Sequence, residues 1–222
     1  YNLSISGGRE KSTYFISGNY TAQEGIIKGS DFERVSGRIN SSHQVRDWLK
    51  VGQNLTIESH SRHQVNAEDE WNATLIEAIA IDPVSPVYNE DGSYGPSVYN
   101  DMKNPVAQIA HNNQERNAFR TLGNVYGEIS FLKDFRFKSN VSLDVTNGND
   151  FDFDPTYVIS NDDKNEVNAV SRGYDKGMNW NLTHTLTWQR TLGQKHGLTA
   201  MVGTEALSRQ WEWFGSTVNN LV

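Results

Sequence analysis

Residues 31–60 read DFERVSGRINSSHQVRDWLKVGQNLTIESH, and taken two at a time they describe a hairpin. On the first arm Val35, Gly37, Ile39 and Ser41 alternate with Arg34, Ser36, Arg38, Asn40 and Ser42. On the second, Leu49, Val51, Leu55 and Ile57 alternate with Lys50, Asn54, Thr56, Glu58 and His60. Alternation sustained over about ten residues marks a strand with one apolar and one polar face. The polar row here carries arginine, lysine, asparagine and glutamate without a break. A soluble sandwich tolerates such a row; a membrane barrel with an aqueous lumen requires it.

The same pattern recurs along the chain. Leu3 and Ile5 open it, and residues 12–22 put Tyr14, Ile16, Gly18 and Tyr20 on one face. Strands resume over 116–131 and again over 135–145, where Phe135, Phe137, Val141, Leu143 and Val145 face away from Arg136, Lys138, Asn140, Ser142 and Asp144. Trp180, Leu182, Leu186 and Trp188 alternate with Asn181, Thr183, Thr185 and Gln189, and a last strand runs from Leu198 past Glu205 towards Trp213. Eight strands are expected. Short turns fall near 7–11, 44–47, 132–134 and 192–195, and long connections near 21–31, 61–115 and 147–178. Alternating short and long connections are the asymmetry of an antiparallel outer-membrane β-barrel, with short periplasmic turns and long extracellular loops. Tyr20, Phe131, Phe135, Trp180 and Trp188 suit its two aromatic girdles. The long segment 61–115 holds Pro83, Pro86, Pro96 and Pro105, with a short helix expected around 72–81.

Bulk properties narrow the class. A net charge of −7 over 222 residues, with lysine and arginine scattered singly, gives no nucleic-acid footprint. With no cysteine there is neither a disulfide framework nor a thiolate metal site. No run of about eighteen apolar residues reads as a transmembrane helix, which leaves barrel strands open. Both ends, Tyr1-Asn2-Leu3-Ser4 and Asn220-Leu221-Val222, read as cuts in a longer polypeptide.

Nothing in the chain reads as a catalytic centre. Six histidines are scattered, with no HExxH and no nucleophile elbow. Asp150-Phe151-Asp152-Phe153-Asp154 has the spacing of the first calcium-loop ligands, but Pro155 stands at the sixth position and Asn161 at the twelfth. A solvated acidic loop is the stronger reading. Sequons at Asn54, Asn140 and Asn181 fall inside strands and read as polar-face side chains rather than glycan acceptors. Ligand contact is the sharper expectation. Trp211 and Trp213 share a face with Glu205 and Arg209 beyond the membrane-spanning part of the last strand, placing them for stacking and forked hydrogen bonding in an outer vestibule. Trp71, Tyr94 and Tyr99 in the long loop are similar candidates. Arg34, Arg38, Lys50, Asn54, Arg136 and Lys138 are expected to face the lumen.

Residues 1–52, beginning YNLSISGGREKSTYF and including QEGIIKGSDFER, RIN and WLKVG, closely resemble the SusC/RagA family of TonB-linked outer-membrane transporters, at the point where the barrel begins. DPVSPVYNEDGSYG, LKDFRFKSNVSLD and HGLTAMVGTEA are weaker family-like features. The resemblance implies a plugged barrel of about twenty-two strands, of which this chain supplies roughly the first third. It also implies energy-coupled import of oligosaccharides or peptides at the bacterial outer membrane, a SusD-like lipoprotein as outer lid, and coupling to TonB through parts not in this chain. On that reading the lumen cations pair mostly with plug carboxylates, and the long loop has the lipoprotein as an alternative partner. The competing readings are a soluble all-β carbohydrate-binding module and a passive porin or adhesin barrel. Detergent dependence separates the first of these, and an upstream plug the second.

Overall fold

The strands form wherever the period-two pattern predicts them, and they pair in chain order. In the computed structural model, which describes residues 1–66, 73–193 and 195–221, one eight-stranded antiparallel sheet is built from β1 (Asn2–Arg9), β2 (Ser12–Glu24), β3 (Asp31–Arg46), β4 (Leu49–His63), β5 (Glu115–Phe131), β6 (Phe135–Asp154), β9 (Ala169–Leu192) and β10 (His196–Asn219). A second, two-stranded sheet joins β7 (Tyr157–Val158) to β8 (Lys164–Asn165) inside the connection between β6 and β9. Two helices, α1 (Thr74–Ala80) and α2 (Pro105–His111), lie between β4 and β5. The first matches the helix expected near 72–81, although Asn72 lies outside the described residues. No described helix is long and apolar enough to cross a membrane, which says nothing of β-barrels.

Register shows what the alternation is for. Ile16, Ile39, Leu55, Gly123, Leu143, Trp180 and Ser208 stand in one cross-strand row, with further apolar residues in the rows beside it. That whole face is open: Val35, Val125 and Val202 keep 56%, 57% and 65% of their surface exposed. Only Val65, Ala73, Ala107 and Ala118 are buried hydrophobics among the described residues. A sandwich would pack a second layer here. Among the described residues no second layer covers this face.

The sheet is open, with β1 and β10 at its edges, and its stagger carries a barrel's tilt. The pairing row through Ser12, His43, Val51, Gly127, Ser139, His184 and Thr204 starts at the β1–β2 turn, yet it meets the last hairpin about eight residues from its turn. That climb of about 26 Å across six strand spacings of about 4.8 Å tilts the strands by about 40°, as in transmembrane barrels. Tyr20, Phe119 and Trp180 mark the loop end of the apolar face. Phe131 stacks on Phe135 at the turn end, with Trp188 paired to Phe135.

One connection differs from the expectation: the third long one runs only from 155 to 168, not 147–178, because β6 and β9 pair continuously from Phe135–Trp188 to Asp154–Ala169. The missed part opens on Asn147-Gly148-Asn149-Asp150, which breaks the apolar face, and Phe151 and Phe153 beyond it alternate with aspartates whose spacing reads as a calcium loop rather than a strand. Because the strand continues, Asp150, Asp152 and Asp154 form no such loop. They stand on one side of a strand about 7 Å apart, too far to wrap a single ion, and Asp150 is engaged by Arg116.

Candidate functional site

The polar face is cross-linked by its own side chains. Asn54 donates to Asn124 (2.9 Å), and Asn124 to Asn140, an amide ladder across three strands. Arg120 forks onto Asp144 through two 2.8 Å bonds. One turn of the pattern further out, Arg116 Nη1 donates to Asp150 at 2.6 and 2.8 Å while Nη2 donates to Asp175 at 2.6 Å. The Arg116–Asp175 pair crosses directly over Gly148, where a Cβ would collide with both partners. Glycine is what lets that pair lie flat against the wall.

Beyond these pairs stand two indoles. Trp211 pairs with Gly177 and Trp213 with Asp175, which puts both on the polar face. Trp211 lies over the bare backbone of Gly177, and Trp213 folds over Gly215. Both are largely exposed. Asn181 donates to Glu205 two rows nearer the turn end, and Arg209 has no ion-pair partner among the described residues.

The long connections fold into a cap at the loop end. Its centre is Asn104, fully buried, whose backbone N–H donates to Asp163 (3.0 Å) and whose Nδ2 donates to the carbonyls of Val87 (2.9 Å) and Gly95 (2.8 Å). Its Oδ1 caps α2 by accepting from Val106 and Ala107. Asn-Pro at 104–105 carries the sequence signal of a helix start, an asparagine N-cap with proline in the first turn. Asp82 accepts from Ser85, Ser97, Val98 and Tyr99; led by the Ser85 hydroxyl, these donors hold its carboxyl down at about 2. Burial raises Glu77, which accepts from the Lys103 backbone. Helix α1 is inverted: it buries Thr74 and Glu77 and exposes Leu75, Ile76 and Ile79.

No family model matches the chain. It is 32% identical over 209 residues to TonB-dependent receptor P26 of Formosa agariphila, covering 91% of this chain and 20% of that protein. It is 28% identical over 173 residues to TonB-dependent receptor SusC of Bacteroides thetaiotaomicron, covering 67% of this chain and 17% of SusC. The chain belongs to the TonB-dependent receptors. Its fold superposes on a chain of the RagAB peptide transporter with a TM-score of 0.81 at 20% identity, over 99% of this chain and 25% of that one. The segment thus spans about a fifth of the length of the curated relatives it matches.

Within this receptor segment the expected residues divide. Arg34, Arg38, Lys50, Asn54, Arg136 and Lys138 all project from the polar face. Several have partners in the wall itself: Arg38 donates to Thr56 (3.2 Å), Arg136 lies 3.4 Å from Glu128, and Lys138 sits 4.5 Å from the Tyr126 ring centre. Arg34 differs, with a buried Nε that has no partner. Tyr94 is packed between Tyr88 and His111 inside the cap, so its ring is structural. Tyr99 is exposed nearby. Trp71 lies outside the described residues. Sequence reading missed Arg116, Asp150 and Asp175 as a unit, because only register brings them together.

Proposed function

We propose that residues 1–222 form wall strands of an outer-membrane TonB-dependent transporter that imports oligosaccharides or peptides with a SusD-like lipoprotein. The observation that carries this reading is the unpartnered, exposed apolar face on strands tilted by about 40°; its natural solvent is lipid. Plug, TonB-contacting segment and remaining strands lie outside these residues, and the segment has no enzymatic role. The polar face lines the lumen, where Arg34, Arg38, Lys50, Arg136 and Lys138 are the cations that plug carboxylates meet. Trp211, Trp213, Arg209 and Glu205 line the outer vestibule and contact solute. The apolar face of α1, with Tyr99, gives the lipoprotein lid a docking surface, since an exposed cluster of this kind marks an interaction site.

The test is to isolate the intact gene product from native membranes. Extraction only by detergent, with a lipoprotein attached, supports the reading. A soluble, monodisperse product would overturn it. Replacing Trp211 and Trp213 together by alanine is expected to lower solute uptake about tenfold or more, given about 1 kcal/mol or more for each aromatic contact, with surface abundance unchanged.

A further inference from the structure

The chain's charge is concentrated in one place. Residues 64–104, the connection that carries α1, hold eight carboxylate side chains and a single basic residue, Lys103. That segment accounts for the whole net charge of −7, and the rest of the chain balances. Glu77 is buried and Asp82 is enclosed by its donors, whereas Glu90, Asp91 and Asp101 are exposed. None of these three has an ion-pair partner among the described residues. The same segment carries the cap's open apolar side chains. Ile79 and Tyr99 keep 82% and 79% of their surface exposed, and Leu75, Ile76, Val84 and Val98 are exposed as well. Asn100 Nδ2 donates to the Ala80 carbonyl (2.9 Å) and the Val98 N–H to Ser85 Oγ (2.8 Å), which ties 97–100 to the end of α1 and the turn after it. The apolar side chains thus stand on stretches held together, with Asp101 two residues beyond Tyr99.

An exposed apolar patch marks an interface, and the sign of the charge around it selects what covers it. A second copy of the chain would bring the same carboxylates to a self-complementary contact and be repelled. Anionic lipid headgroups are repelled in the same way. Solute sites are concave and bury most of their lining; side chains as open as Ile79 and Tyr99 are not such a lining. A protein surface of opposite sign fits. A field of one sign steers such a partner inwards, and with the remainder of the chain balanced nothing cancels it.

We propose that the lipoprotein lid meets this patch with an apolar centre rimmed by lysine and arginine, and that the acidic segment draws the lid on. The inference rests on the lid reading above. Charge around an interface sets mainly the rate of encounter, and apolar contact the rate of release. The test is the binding of the separately purified lipoprotein to the intact receptor in detergent micelles, followed on an optical biosensor at low and high salt. Association is expected to slow about tenfold or more as salt rises, and by a similar factor at low salt in Glu90→Lys combined with Asp101→Lys. Glu10→Lys, in the turn at the other end of the wall, should leave it unchanged. Ile79→Asn should hasten release. Folding of the variants is checked by the heat-dependent shift in gel mobility; salt dependence, read on the unaltered receptor, decides if a variant fails that check. Association indifferent to salt, or unchanged or faster in the double variant, overturns the basic rim, and release unchanged in Ile79→Asn overturns the apolar centre; in each case the lid reading stands. A receptor that binds no lipoprotein overturns both.

Discussion

Single residues matter here where they let charged groups lie against a flat wall. Gly148 is the clearest case. Any side chain at 148 meets the ends of both Arg116 and Asp175, so the pair must shift off the wall to keep its bond. Gly148→Val is expected to lower the melting temperature of the intact receptor by weakening one charge-assisted hydrogen bond, a cost of about 1–2 kcal/mol; Gly127→Val, at a glycine with open space around it, serves as the control. Asn104 has the corresponding place in the cap. Asn104→Ala removes four side-chain hydrogen bonds at about 1 kcal/mol each. Rapid proteolysis between 82 and 111, with the barrel band intact, is the expected result. Neither role was legible in the sequence. Glycine in a strand reads as a weakness until register shows what crosses over it, and a lone asparagine before proline shows a helix start but not the three segments it ties together.

At the scale of elements, the eight main strands were legible because lipid on one side and water on the other impose the strictest period-two pattern a chain can carry. The pattern fails once a strand leaves the bilayer, since both faces are then wet. β6 continues past Val145 through Asn147-Gly148-Asn149-Asp150, where only cross-strand pairing distinguishes strand from loop, before Phe151 and Phe153 take up the alternation again. The cap was legible as a loop and no further, because its order comes from polar bonds between positions distant in sequence. Those bonds set its pH response. Asp82 has a folded value near 2 against an ordinary 3.8, so the ionised form is the bound one. Its contribution is therefore complete above the ordinary value and is lost as pH falls through about 2. Protease resistance of residues 82–100 should hold from pH 7 to about 4 and decline below that; Asp82→Asn should lose it at every pH. Turns also carry strain: Leu132 and Lys133 both adopt positive φ, at 49° and 60°. Replacing them with Asn-Gly is expected to stabilise the hairpin by about 1–2 kcal/mol, read as a slower unfolding rate.

For the whole molecule, the decisive property is which solvent each face meets, and β6 can report it directly. Odd positions from 137 to 145 belong to the apolar face and even positions from 136 to 144 to the charged one. Beyond Val145 the same strand carries Asn147 and Asn149 on its odd side, so the apolar run breaks there before Phe151 and Phe153. Single nitroxide labels placed along β6 of the intact receptor in bilayers should alternate, with oxygen collisions high at odd positions and polar-relaxant collisions high at even ones. The alternation should run for about ten residues, the length a tilted strand needs to cross the hydrocarbon, and then give way to water access on both sides. A soluble module would show polar-relaxant access limited only by packing, with no oxygen-rich face at all. Alternation that continued unchanged to Asp154 would place the outer part of the wall inside the membrane, and with it Arg116, Asp150 and Asp175. Their three-way ion pairing stands on the polar face with Arg120 and Asp144, so it meets the lumen at either depth, and the labels on the odd side alone fix where the hydrocarbon ends.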